Sequence, residues 1–138
     1  MAHLKQNGIF LGALLILGML VAIPASAHHS VQAEFDIHKT ITVSGTVLKI
    51  ENINPHSYLT LMAKDANGAD QRWGFEFGGA GALRKAGLGK DGLKPGDQIT
   101  IKALAAKDGS TNGLLRSMTL AAGQVINIAS GDPNEDKQ

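Results

Sequence analysis

The segment ITVSGTVLKI, residues 41–50, carries two apolar patterns that are out of phase with each other. Ile41, Val43, Gly45 and Val47 fall on one side of an alternating strand, with Thr42, Ser44 and Thr46 on the other. At Val47-Leu48 the parity switches, and Leu48 and Ile50 take the side the hydroxyls held. Strand side chains alternate with a strict period of two, so a change of phase needs an extra residue or a sharp bend. A bulge at Val47-Leu48, eased by the nearby Gly45, is therefore predicted within one long first strand. A strand bent in this way can serve two halves of a sheet, which few β folds require.

The rest of the chain reads as shorter strands. Tyr58 to Ala63 places Leu59, Leu61 and Ala63 on one face. Asn67-Gly68 predicts a hairpin turn with positive φ. Gln71 to Phe77 sets Trp73, Phe75 and Phe77 against Arg72, Gly74 and Glu76, and the aromatic side is the expected core face. Ala80 to Ala86 predicts a short helix closed by Gly87, and Leu93-Lys94-Pro95-Gly96-Asp97 a turn. Asp97 to Ala106 and Leu115 to Leu120 complete the main strands, and Val125 to Ile128 adds a last apolar segment. Three strands, a short helix and two or three more strands, with the first one bent, define the expected fold. It is mainly β: a small OB-fold-like barrel of five to six strands with one short helix, in which closure removes exposed sheet edges. A β-sandwich or a seven-strand meander is the alternative topology.

Residues 1–27 carry the marks of a signal peptide. Lys5 precedes a 15-residue apolar run from Ile9 to Ile23; Pro24 ends it, and Ala25-Ser26-Ala27 offers small residues for cleavage after Ala27. A spanning helix needs about 20 residues, so a retained anchor fits less well. The expected organisation is a leader over 1–27, an N-terminal arm over 28–39, a barrel over 40–128 and a disordered tail over 129–138, in a periplasmic protein. The chain has no cysteine, which removes disulfides and thiolate metal sites. Loss of Lys5 takes Lys+Arg from 13 to 12, level with the 12 Asp+Glu. Zero formal charge argues against nucleic acid and an anionic membrane as partners; the expected partner is a metal ion or small ligand.

The histidines carry the chemistry. Cleavage after Ala27 gives His28 a free α-amine beside its own imidazole, and the two nitrogens can chelate one ion. An imidazole in trans then completes a three-nitrogen, T-shaped site of the histidine-brace type, suited to Cu(II). His56, at the end of the loop between the first two strands, is the candidate third ligand. His29 is a less natural partner, because it follows His28 directly. A cut one residue earlier would leave Ala27-His28-His29, which also binds Cu(II) through amine and backbone nitrogens. Glu34 and Asp36 are candidate carboxylates for orienting an imidazole, and Tyr58 is the candidate axial aromatic. His38, between Ile37 and Lys39, reads as a surface residue. The bland alternative is a solvated histidine arm and a turn-capping His56. Glu76 alternates outward and alone makes no acid–base pair. No serine lies in a nucleophile elbow, and the glycine-rich stretch 74–92 lacks the Lys-Ser/Thr of a phosphate loop.

AHHS at 27–30, EFD at 34–36, SGTV at 44–47, NPH at 54–56, the Trp73 strand, ALRKAGL at 82–88, LKPGD at 93–97 and RSMTL at 116–120 occur together. In this combination the chain resembles a family of small bacterial exported proteins known as a domain of unknown function, over roughly His28 to Ile128. The resemblance implies a periplasmic barrel-like domain, brings no activity, and includes His28, His29 and His56 among its motif residues. The leading expectation is thus a periplasmic binding protein that takes Cu(II) through His28 and His56. The alternatives are a metal-free peptide- or glycan-binding interaction domain and a copper-dependent redox enzyme. Carriage suits the chain better than catalysis, since it shows no acid–base pair.

Overall fold

The computed structural model of the chain describes residues 31–128. The expected signal peptide and its cleavage point, His28, His29 and the tail beyond residue 128 lie outside the described residues. A short helix α1 (Val31–Glu34) runs directly into β1 (Phe35–Glu51), followed by β2 (Ser57–Lys64) and β3 (Asp70–Phe77). Helix α2 (Ala82–Lys85) separates these from β4 (Gln98–Ala106), β5 (Asn112–Leu120) and β6 (Val125–Asn127). There are thus two short helices rather than the one expected, and the first strand begins at Phe35 instead of Thr40. The early part of β1 was unreadable as strand because its register against β4 breaks between Asp36 and Thr40, which destroys the period of two.

The predicted bend is present and organises the sheet. Residues 40–46 of β1 pair with β4, while residues 45–51 pair with β2. Gly45 and Thr46 are hydrogen-bonded into both pairings, to Ala63 and Ile99 and to Met62 and Gln98. Leu48 is the extra residue: the β2 register steps from Val47↔Leu61 to Lys49↔Thr60. The strand order is β3-β2-β1-β4-β5-β6, and a parallel β3–β5 pairing joins the ends into a barrel. All other neighbours are antiparallel. This is an OB-fold-like arrangement, mainly β.

The interior is filled from alternate positions of each strand. Val43, Val47, Leu59, Leu61, Phe75, Phe77, Ile101, Leu115 and Met118 are buried in one cluster. Trp73 is only half-buried at its edge; the indole lies 6.0 Å from the Phe75 ring at 7° and donates its N–H to Gln71 Oε1 at 3.1 Å. That position gives the indole N–H a polar partner while its ring still covers the core. A register shift between Lys102 and Ala103 buries Ala103, Leu104 and Ala105 in succession. Leu104 therefore joins Phe35 and Leu114 in a separate cluster, against which Val31 of α1 packs. The N-terminal segment is thereby fixed to the barrel at the β4–β5 end. Among the described residues no helix is long and apolar enough to cross a membrane.

Candidate functional site

The loop between β1 and β2 is held from both sides. Ser57 is fully buried; its Oγ donates to Ile53 O at 3.1 Å and accepts from Ile53 N–H at 3.2 Å. Asn54 Oδ1 accepts the Ala80 N–H at 3.0 Å, tying the loop to the Gly78-Gly79 exit of β3. A side chain at Gly79 would meet Asn54 Oδ1 and stand 3.1 Å from Pro55 O, so close approach needs glycine there. The Asn54-Pro55 peptide is cis. Within this clamped loop His56 is presented at the barrel rim.

His56 Nδ1 contacts Glu76 Oε1. A carboxylate accepts only, so Nδ1 carries the proton and Nε2 is the nitrogen left for a ligand. The histidine side chain is 38% exposed and the glutamate 18%, so the carboxylate orients the ring from beneath while the ring reaches solvent. Tyr58, 41% exposed, lies directly across the β2–β3 ladder from Glu76. Glu34 approaches from α1, whose carbonyl accepts the Lys107 N–H at 2.9 Å; Lys107 Nζ donates to Gln32 O at 2.5 Å. Glu34, Tyr58 and Glu76 line one groove of about 540 Å³, whose far wall is Lys107, Asp108, Ser110 and Asn112.

Partial burial first, then the charges of Glu76 and Glu34, raise the Tyr58 phenol above its ordinary 10.0. The fold favours the neutral phenol, so its stabilising contribution is complete below pH 10.0 and is lost as pH rises through the raised value. Tyr58 is the chain's one tyrosine, so phenolate absorbance reads it directly. In metal-free protein its midpoint is expected above 10.0, moving partway down in Glu76→Gln. A wild-type midpoint at the ordinary value would remove Tyr58 from the acidic groove.

The sequence-selected residues separate into three groups. Tyr58 and Glu34 line the groove, and His56 is joined to it through Glu76. Asp36 instead accepts the His38 backbone N–H at 2.9 Å within β1, and His38 is exposed. His28 and His29 lie outside the described residues. Among the described residues no three His, Asp or Glu side chains form a group able to hold a metal ion. Glu76 is the partner that sequence reasoning passed over. Counting back across the unbroken ladder from Lys64↔Asp70 to Ser57↔Phe77 sets Glu76 opposite Tyr58 and diagonal to His56.

Fold and site together define a small OB-fold-like barrel with a histidine–carboxylate pair at its rim. The chain belongs to the Family of unknown function (DUF6152), whose model matches residues 17–117. None of the curated proteins compared with it matches. Two solved structures it resembles are crystal structures of Rim1, a mitochondrial single-stranded DNA binding protein of S. cerevisiae. One shares 8% identity with a TM-score of 0.48, covering 60% of this chain and 93% of that one. The other, selenomethionine-labelled, shares 12% with a TM-score of 0.42, covering 59% and 92%.

One expectation is corrected by this likeness. Zero formal charge argues against nucleic acid, yet the solved structures that the chain resembles are single-stranded DNA binding proteins. Single-strand binding depends on local groove charge and base stacking, which a whole-chain sum does not report. Net charge therefore does not decide this partner class. At these identities the likeness concerns the fold alone and assigns this chain no ligand.

Proposed function

We propose that this chain is an exported, periplasmic metal-binding protein that holds Cu(II) between His56 and a processed N-terminus beginning at His28. One observation carries the reading: Glu76 takes Nδ1 of His56 and leaves Nε2 for a metal. Carboxylate–imidazole pairing of this kind fixes ring orientation and raises the basicity of the ligating nitrogen. Two further features support it. Val31, three residues after His28, packs against the cluster of Phe35, Leu104 and Leu114, and Phe35 lines the groove. Among the described residues no complete ligand set is present, so this reading requires a donor from His28 or His29. Imidazole and amine nitrogens suit Cu(II), the strongest binder among divalent first-row ions for such donors.

Carriage remains the better reading than redox catalysis, which needs the same site with a reacting substrate. The test is to recover the exported protein, verify by intact mass that it begins at His28, and titrate Cu(II) against a competing chelator. One equivalent bound tightly, with little oxygen consumption in ascorbate, is the expected result. Sustained turnover of ascorbate would favour the oxidase, and no uptake at all would leave an interaction domain.

A further inference from the structure

The face built by α2, the turn after it and the loop over residues 52–54 combines positive charge with apolar surface. Gly87, with φ of +94°, reverses the chain at the end of α2, and the Leu88 N–H then donates to Leu83 O at 3.0 Å. Leu88 is buried, and Lys90 returns to line a groove of about 280 Å³ together with Arg84 and Asn52. Ile50, Leu83, Leu88 and Leu93 supply the apolar part of that lining. A second groove borders α2 through Lys85 and Ala86 and includes Asn54. Ile53, between Asn52 and Asn54 in the chain, is 50% exposed. Residues 82–97 carry four cations, Arg84, Lys85, Lys90 and Lys94, against two carboxylates, Asp91 and Asp97. All four cations are exposed, and among the described residues none of them enters an ion pair. A whole-chain charge sum conceals such a local excess.

We propose that this face docks on an anionic lipid bilayer, with Arg84, Lys85 and Lys90 meeting headgroup phosphates while Ile53 enters the interface. Unpaired cations beside an exposed aliphatic side chain complement a surface that is negative outside and apolar beneath. Nucleic acid fits this face less well. Single-strand binding relies on aromatic stacking, and no aromatic residue lines either groove. Docking here uses no metal and neither member of the His56–Glu76 pair, so it is independent of copper binding.

The test is co-sedimentation of metal-free protein with vesicles of equimolar phosphatidylglycerol and phosphatidylcholine, at about 0.1 M salt, where the screening length is about 10 Å. All proteins compared share one N-terminus, verified by intact mass, so the apolar run Ile9–Ile23 cannot account for a difference between them. Wild type should bind these vesicles and leave pure phosphatidylcholine vesicles largely bare. Arg84→Gln and Lys90→Gln should each lower partitioning about fivefold, and the double variant about 25-fold. Asp91→Asn removes an exposed carboxylate next to Lys90 in the chain and should strengthen binding. Ile53→Ser should weaken it by a factor that salt leaves unchanged, whereas high salt should erase the differences among the charge variants. Equal retention on both vesicle types, or charge variants that bind as wild type does, overturns the proposal. Retention of a thymidine oligonucleotide in preference to the anionic vesicles also overturns it, and gives the face to nucleic acid.

Discussion

Replacing Gly45 by alanine is expected to destabilise the domain by about 3 kcal/mol, the upper end of the usual cost of overpacking. A Cβ at this position would collide with the carbonyl oxygen of Met62 and sit 3.0 Å from its carbon. Both atoms belong to the backbone of β2, so no side-chain rotation relieves the contact. Gly45 also pairs with Ala63 on one side and Ile99 on the other. Movement away from β2 would therefore disturb the β4 ladder, and the barrel loses the point where its two halves share a strand. For a domain of this size the loss corresponds to a fall in Tm of roughly 12–24 °C. Gly89→Ala is the matched control, since a Cβ there meets nothing within 4 Å and its φ is not positive. Thermal unfolding followed by circular dichroism checks the pair; equal Tm values for the two variants would show that the shared strand is not a point of close approach.

The second large effect concerns copper rather than stability. His56→Ala removes the described imidazole that Glu76 holds by Nδ1, and on the proposed reading is expected to abolish tight Cu(II) binding. Glu76→Gln keeps a similar shape but removes the negative charge that orients the ring. Loss of such an orienting partner costs about 10–100-fold in metal affinity. The ratio between the two variants is informative, because Glu76 acts through His56. In a His56→Ala background the Glu76→Gln change should have little further effect, as the coupling of residues in one network requires. Additive losses would mean that Glu76 meets the metal by itself. Chelator competition on all four proteins gives the answer, with Tm recorded alongside to confirm that each is folded.

How far the sequence disclosed this architecture depends on which physical signal each element carried. The phase switch at Val47-Leu48 was visible because it interrupts a clean alternation, and the bulge lies there. Gly68 and Gly96 were readable as turn residues, and they have φ of +80° and +95°. The start of β1 was hidden, because the Asp36–Thr40 irregularity leaves Ile37 39% exposed and breaks any period. The run Ala103–Ala105 was hidden similarly, since a register shift buries three residues in a row. Of the candidate site, His56 and Tyr58 were found from residue type and spacing. Glu76 was passed over because its importance lies in cross-strand register, which composition and motif do not carry. Asn54 and Ser57 act through hydrogen bonds across 26 and 4 residues, and only the folded loop brings those partners together.

The proposed centre is a cupric ion held jointly by His56 and by the amine that cleavage after Ala27 would create at His28. Electron paramagnetic resonance of the Cu(II)-loaded, mass-verified protein tests this most directly, comparing wild type with a variant carrying one extra alanine ahead of His28. Wild type should give an axial spectrum with hyperfine splitting from three nitrogens, and the inserted alanine should lower affinity and change both the g values and the splitting. Identical spectra and affinities in the two proteins would contradict the account.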